Sequence, residues 1–124
     1  MENNINKHIE TLIERYPALA CCKESIQLIF AQQVNGYGKP HDVFLGISTS
    51  GNSRNVLYAA VVAKAKGLKV IGLTGQKPNR LAQLADVCIR VPATETYKIQ
   101  ELHLPVYHCL CLMLEEHFFG NQQS

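Results

Sequence analysis

The residues with the clearest chemical potential crowd into "STSGNS", Ser48 to Ser53, where an apolar run stops abruptly and a helix-like pattern begins. Ser48, Thr49, Ser50 and Ser53 supply hydroxyl donors without adding charge, and Gly51 lets the backbone approach a ligand or take a positive φ. Two readings of the residues stand side by side. A single Ser or Asn caps a helix, and Ser/Gly/Asn clusters are ordinary turn chemistry. The same residues at the start of a helix, with its unpaired N–H groups and positive dipole end, make a cup for an anion. No Gly-Lys-Ser/Thr follows and the pattern is not GxGxxG, so a small phosphorylated ligand is favoured over a nucleotide.

The elements around this turn decide what it can face. Val43-Phe44-Leu45-Gly46-Ile47 reads as an apolar strand, Asn55 to Lys66 as a helix stopped by Gly67, and Lys69 to Leu73 as a second strand closed by Thr74-Gly75. A short helix over Asn79 to Ala85, a third strand over Val87 to Val91 and a long helix over Thr94 to Phe119 complete the pattern. Strands alternating with helices over short links predict a parallel sheet with helices on both faces. The strands show no polar alternation, as burial on both faces requires. Open α/β sheets bind ligands beyond the carboxyl ends of their strands, and residues 48 to 53 lie at that edge.

Upstream, Ile5, Ile9, Leu12, Ile13 and Tyr16 fall at helical spacing before Pro17. A second helical pattern runs from Leu19 to about Val34, where Gly36 and Gly38 are expected to end it. The organisation expected is a helical segment over 1–27, a domain over 28–119 and a frayed tail over 120–124.

With 124 residues, 47% of them hydrophobic and 18% charged, the chain fits one globular domain. A net charge of +2, carried by scattered lysines, argues against nucleic acid and against an anionic membrane surface. No apolar stretch approaches membrane-spanning length, and the first residues lack the pattern of a signal peptide. Five cysteines without a CxxC pair read as reduced, mostly buried thiols of a cytoplasmic protein.

Several motifs in order carry a resemblance: His41-Asp42-Val43, "LGISTSGNSRNV", "AKAKGLKVIGLTG", "ADVCIRVP" and "KIQELHLPVYH". From about Leu28 to Phe119 the chain resembles the SIS (sugar isomerase) family, and within it the phosphoheptose isomerases. The resemblance implies a flavodoxin-like three-layer α/β fold and an aldose–ketose isomerase that converts sedoheptulose 7-phosphate to glycero-manno-heptose 7-phosphate. It implies that Ser48, Thr49, Ser50 and Ser53 hold the sugar phosphate. It assigns Gln100 and His108 to the active site, His108 as a catalytic group and both as zinc ligands, and it gives His103 no role. It also implies a homo-oligomer, most plainly a tetramer, with sites shared between subunits and contacts through the N-terminal helices. A non-catalytic SIS protein that binds sugar phosphates as a regulator is the alternative.

Read without the family, a lone histidine on an apolar helix is more often a hydrogen-bonded core residue than a ligand. Gln100 and His108 are also eight residues apart, a rise of about 12 Å on a straight helix. Pro105 lies between them and is expected to kink the helix so that the two side chains converge. Glu95 and Glu101 read as solvated helix charges, and His8, His41 and His117 as surface residues.

Phosphoheptose isomerases carry two further strands, a GNGGS loop and a helix with His and Glu ahead of the matched region, and this sequence has none of them. Val43 to Ile47, a central strand by composition, is thereby left as a possible sheet edge, an aggregation hazard. The preferred expectation is a break between Gln27 and Leu28 that hides an internal block; the alternative is a truncated domain completed by a partner. Without that block the chain is expected to be inactive or badly impaired.

Overall fold

The computed structural model describes residues 26–120 together with Lys7, Glu10, Thr11, Glu14 and Arg15. Those five early residues are helical, while Ile5, Ile9, Leu12, Ile13 and Tyr16, whose spacing predicted a helix, lie outside the described residues. The chain passes from Gln27 into Leu28 without interruption, and the N–H of Gln32 reaches the Leu28 carbonyl at 2.9 Å. The break expected there is absent.

Seven elements follow in order: α1 (Ile29–Tyr37), β1 (Val43–Ile47), α2 (Arg54–Ala65), β2 (Lys69–Thr74), α3 (Arg80–Leu84), β3 (Val87–Arg90) and α4 (Thr96–Phe119). The α/β alternation read from the sequence is present. One boundary moves: α1 runs through Gly36 and stops at Gly38, whose N–H caps the Val34 carbonyl.

The sheet has the order β1-β2-β3, all parallel, with Leu45 beside Ile71 and Ile71 beside Val87. Alternation along the strands sorts the side chains into two faces. Phe44 and Val70 point to the first, where Leu57, Ala60 and Ala63 of α2, Leu81 of α3 and Val34 of α1 pack on them. The alanines of α2 let that helix lie close to the sheet. Leu73 and Ile89 point to the second face, where Ile99, Val106 and Tyr107 of α4 cover them. Helices therefore sit on both faces, but unevenly. On the second face Val43, Leu45 and Ile47 of β1 and Val87 of β3 remain exposed, Val43 and Val87 at 59%. β1 is thus an edge strand in this chain, because none of the described residues supplies a strand beyond it.

The carboxyl edge is fastened by side chains. Asn79, 5% exposed, caps α3 by accepting the Ala82 N–H at 2.8 Å, and its amide donates to Thr74 Oγ1 and the Lys77 carbonyl. The Leu81 N–H donates to the Gly51 carbonyl at 2.9 Å, and the Arg80 N–H to Asn52 Oδ1 at 3.0 Å. The serine-rich loop and the start of α3 therefore hold each other. Gly51 has φ +67°, and a Cβ there would lie 2.1 Å from Asn79 Cγ, so both conformation and space demand glycine.

At the opposite end, Asp86 and Val70 exchange two hydrogen bonds: the Val70 N–H donates to Asp86 Oδ2 and the Asp86 N–H to the Val70 carbonyl, each at 2.8 Å. The Val70 N–H, with the charges of Lys64 and Lys69, holds the Asp86 carboxyl below its ordinary value of 3.8. Of the three cysteines among the described residues, Cys88 is half-buried, but Cys109 and Cys111 are exposed. This corrects the expectation of mostly buried thiols: both lie on the part of α4 that extends past the sheet. No helix among the described residues is long and apolar enough to cross a membrane.

Two outcomes follow from these fastenings. Gly51→Ala forces a left-handed residue to carry a Cβ and displaces the α3 cap, and should cost about 2–3 kcal/mol; an unchanged thermal melt would show that the loop is not latched. The Asp86 contribution is complete above the ordinary carboxylate range and is lost as pH falls through the lowered folded value. Melting temperature should therefore drop between pH 5 and pH 3 in the native chain, and Asp86→Asn should flatten that drop.

Candidate functional site

The loop between β1 and α2 opens on a cleft of about 1080 Å³ at the carboxyl edge of the sheet. Ser48, Thr49, Ser50 and Ser53 line it from one side, Gly75, Lys77 and Pro78 from the β2–α3 turn, and Gln100, His103 and Tyr107 from α4. The ends of the two strands are stitched together: the Ser48 N–H donates to the Leu73 carbonyl at 3.1 Å and the Gly75 N–H to the Thr49 carbonyl at 3.3 Å.

Within the loop the hydroxyls are partly committed. Ser48 Oγ, almost fully buried, accepts the Gly51 N–H at 3.1 Å and lies 3.0 Å from Ser53 Oγ, so these two hydroxyls share one proton and leave one free. Ser50 Oγ accepts the Asn52 N–H at 3.1 Å and keeps its own hydrogen. The Thr49 hydroxyl has no partner among the described residues. Four hydroxyls therefore leave three O–H donors unspent.

Ser53 occupies the N-cap position of α2, yet its side chain makes no cap hydrogen bond. The Val56 N–H is met by Asn55 Oδ1 and the Leu57 N–H by the Ser53 carbonyl, but the amides of Arg54 and Asn55 have no protein partner among the described residues. A capping serine would have satisfied one such amide. The geometry instead leaves first-turn N–H groups and unspent hydroxyls together at the positive end of a three-turn helix, where an anion is stabilised. Of the described residues that line the cleft, Lys77 is the one with a fixed charge and none is a carboxylate.

On α4 the outcome differs from the expectation. Thr96 to Phe119 forms one helix with Pro105 inside it. Gln100 lines the cleft, but His108 is exposed and lies outside the lining, its ring against Tyr107 at 5.2 Å. The expected convergence of Gln100 and His108 in one cleft is therefore not found. Helical geometry explains it: seven residues bring a side chain back to within about 20° of its starting direction, whereas eight leave it about 80° away. Tyr107 thus shares the Gln100 face, as does His103 one turn along, and His108 does not.

Sequence reasoning missed His103 and Lys77. His103 is 2% exposed, and its Nε2 lies 3.1 Å from the Thr74 carbonyl oxygen. The i, i+3, i+7 spacing of Gln100, His103 and Tyr107 was the available signal. Lys77 had none, because a lysine in a turn is ordinary. The described residues contain no group of three or more His, Cys, Asp or Glu side chains placed to hold a metal ion.

The SIS domain family profile matches residues 25–113. Over 88 residues the chain is 50% identical to a phosphoheptose isomerase of Rhodospirillum rubrum, covering 71% of this chain and 47% of that protein. It is 44% identical over 94 residues to a phosphoheptose isomerase of Aneurinibacillus thermoaerophilus, covering 76% of this chain and 48% of the relative. The chain therefore spans about half the length of the curated relatives it matches. The structure of a phosphoheptose isomerase from Francisella tularensis superposes with a TM-score of 0.71 at 34% identity, over 86% of this chain and 55% of that one. With a parallel sheet, a serine-rich loop at its carboxyl edge and these relatives, the chain belongs to the SIS domain family.

Proposed function

We propose that the cleft binds a phosphorylated sugar, with its phosphate on Ser48, Thr49, Ser50 and Ser53, and that the protein serves as an aldose–ketose isomerase of the phosphoheptose type. The observation that carries this reading is the set of unspent donors: three O–H groups and the open amides of Arg54 and Asn55, beside Lys77 and with no carboxylate in the lining. Phosphate near neutral pH presents oxygens that accept hydrogen bonds, and this wall donates them. Relatives named phosphoheptose isomerase support a phosphorylated heptose as the substrate class, and the substrate proposed is sedoheptulose 7-phosphate with its aldose isomer.

Isomerisation moves a proton between C1 and C2 through an enediolate, which calls for a base, an acid and stabilisation of a developing oxyanion. Gln100 lines the cleft, which supports its role in this reading as a hydrogen-bond partner of the sugar. His108 is exposed and outside the lining of its own cleft, so in this reading its catalytic role is exercised on another subunit's site. The homo-oligomer, a tetramer in this proposal, is supported by the exposed apolar residues of β1 and of the second half of α4. Zinc held by Gln100 and His108 needs further ligands from outside the described residues, since these two do not converge here; no step is assigned to it. The setting proposed is the cytoplasm.

The test is to titrate and incubate the protein with sedoheptulose 7-phosphate, with and without zinc. Binding should weaken about tenfold or more in Ser53→Ala, the loss expected for one hydrogen bond to a charged group, with the melt unchanged. Formation of the aldose phosphate establishes the isomerase. Binding that depends on Ser53 but gives no turnover selects the alternative, a non-catalytic sugar-phosphate-binding protein, and absence of binding overturns both.

A further inference from the structure

Among the described residues the cleft has one imidazole, and it is not the histidine that the family resemblance singles out. His103 stands on the same face of α4 as Gln100 and Tyr107, and all three line the cleft. Its Nε2 approaches the Thr74 carbonyl oxygen at 3.1 Å, and that oxygen also accepts the Val91 N–H at 3.0 Å. A carbonyl has no proton to give, so the hydrogen is on Nε2; in the uncharged imidazole tautomer this selects, Nδ1 is an acceptor. Nδ1 has no partner among the described residues, none of whose buried side-chain nitrogens or oxygens lacks one. Nδ1 is therefore not sealed from solvent, and the cleft is the space that His103 lines.

The two walls of the cleft are chemically complementary to the two ends of a phosphosugar. Phosphate needs donors, and the serine loop provides them. The hydroxyls of a sugar chain have protons to give and need acceptors. The Ser, Thr, Asn, Gln and Tyr side chains of the lining can act either way, and Lys77 only donates; His103 Nδ1 is a nitrogen fixed as an acceptor by its tautomer. Position agrees. Thr74 ends β2 and the loop follows β1, so the anchor of His103 is set off from the loop by about one strand spacing, roughly 4.8 Å. That offset reaches past a phosphate to the carbons attached to it.

We propose that Nδ1 of His103 accepts a hydroxyl hydrogen bond from the carbon chain of the phosphosugar whose phosphate lies on the Ser48–Ser53 loop. His103 is then the residue that makes the cleft prefer a phosphorylated polyol to phosphate itself. The inference rests on the phosphosugar reading above and adds a sugar subsite to it.

The test compares sedoheptulose 7-phosphate with inorganic phosphate by titration calorimetry on the native chain, His103→Gln and His103→Asn. A glutamine amide can donate to Thr74 from the place of Nε2 but puts no acceptor at the place of Nδ1. His103→Gln should melt close to the native chain, keep its phosphate affinity and bind the sugar phosphate about 3- to 10-fold more weakly, the range of one neutral hydrogen bond. Asparagine restores an acceptor at the place of Nδ1 without reaching Thr74; it should melt lower yet keep the preference for the sugar phosphate. A purely structural histidine would shift the melts and leave the preference untouched, so an unchanged preference in His103→Gln overturns the inference. Should the Gln variant melt too low to titrate, imidazole 15N NMR of the native chain decides: a change at His103 Nδ1 with sedoheptulose 7-phosphate that inorganic phosphate does not produce supports the subsite, and equal responses to the two overturn it. A native chain that binds both ligands equally sinks the subsite while sparing the phosphate loop. One that binds neither removes the phosphosugar reading, and the subsite with it.

Discussion

Thr74 is fully buried at the carboxyl end of β2, and its polar atoms hold three other parts of the chain. Its carbonyl accepts the N–H of Val91, just after β3, and faces the ring of His103 on α4. Its hydroxyl accepts the amide of Asn79, which caps α3 and lies against Gly51 in the serine-rich loop. Buried polar groups are costly unless satisfied, so this set is held as a unit: release of one member exposes the others as orphans. The loop does not hold its own shape. It inherits that shape from Asn79, which inherits its position from Thr74, and both cleft walls are therefore referred to one residue of one strand.

That dependence explains which features could be read from the sequence. The strands and helices were legible because periodicity reports burial locally: Val43 to Ile47 is continuous and apolar, and α2 repeats small residues on one face. The loop was legible as a polar cluster at the end of an apolar run. Whether Ser53 caps its helix was not, since capping and anion binding ask for the same residue types at the same place. Hydrogen-bond geometry removes the cap, since Ser53 Oγ turns to Ser48 instead of to an amide of α2. Asn79 and Gly51 are 28 positions apart, and nothing in either neighbourhood announces the other. His103 drew no role from the sequence, because its contact is with a carbonyl 29 residues away that nothing near it announces.

The treatment of α4 shows where local reasoning fails. Pro105 was expected to bend Gln100 and His108 toward each other, but the angular offset of eight residues outweighs it, and His108 is left exposed. The resemblance carried two residues as a pair, whereas the helix places them on different faces. Both statements are compatible only if the second face meets something other than the cleft on its own chain.

Lengths make the same point more strongly. A helix of 24 residues is about 36 Å long, whereas the six residues of β2 extend about 20 Å. α4 must therefore overhang the sheet by more than two turns, whatever its direction. Its buried contacts with the sheet come from Ile99, His103, Val106 and Tyr107, all in the first half. The second half carries Leu112, Met113, Leu114, Phe118 and Phe119 into the open, and β1 exposes Val43, Leu45 and Ile47 beside an unpaired strand edge. Apolar side chains exposed in such number are unfavourable in water and fit a contact beyond the described residues. The cleft can be preformed by the Thr74 network, which needs only this chain's own residues. The apolar half of α4 and His108 are different, because they lie where none of the described residues covers them.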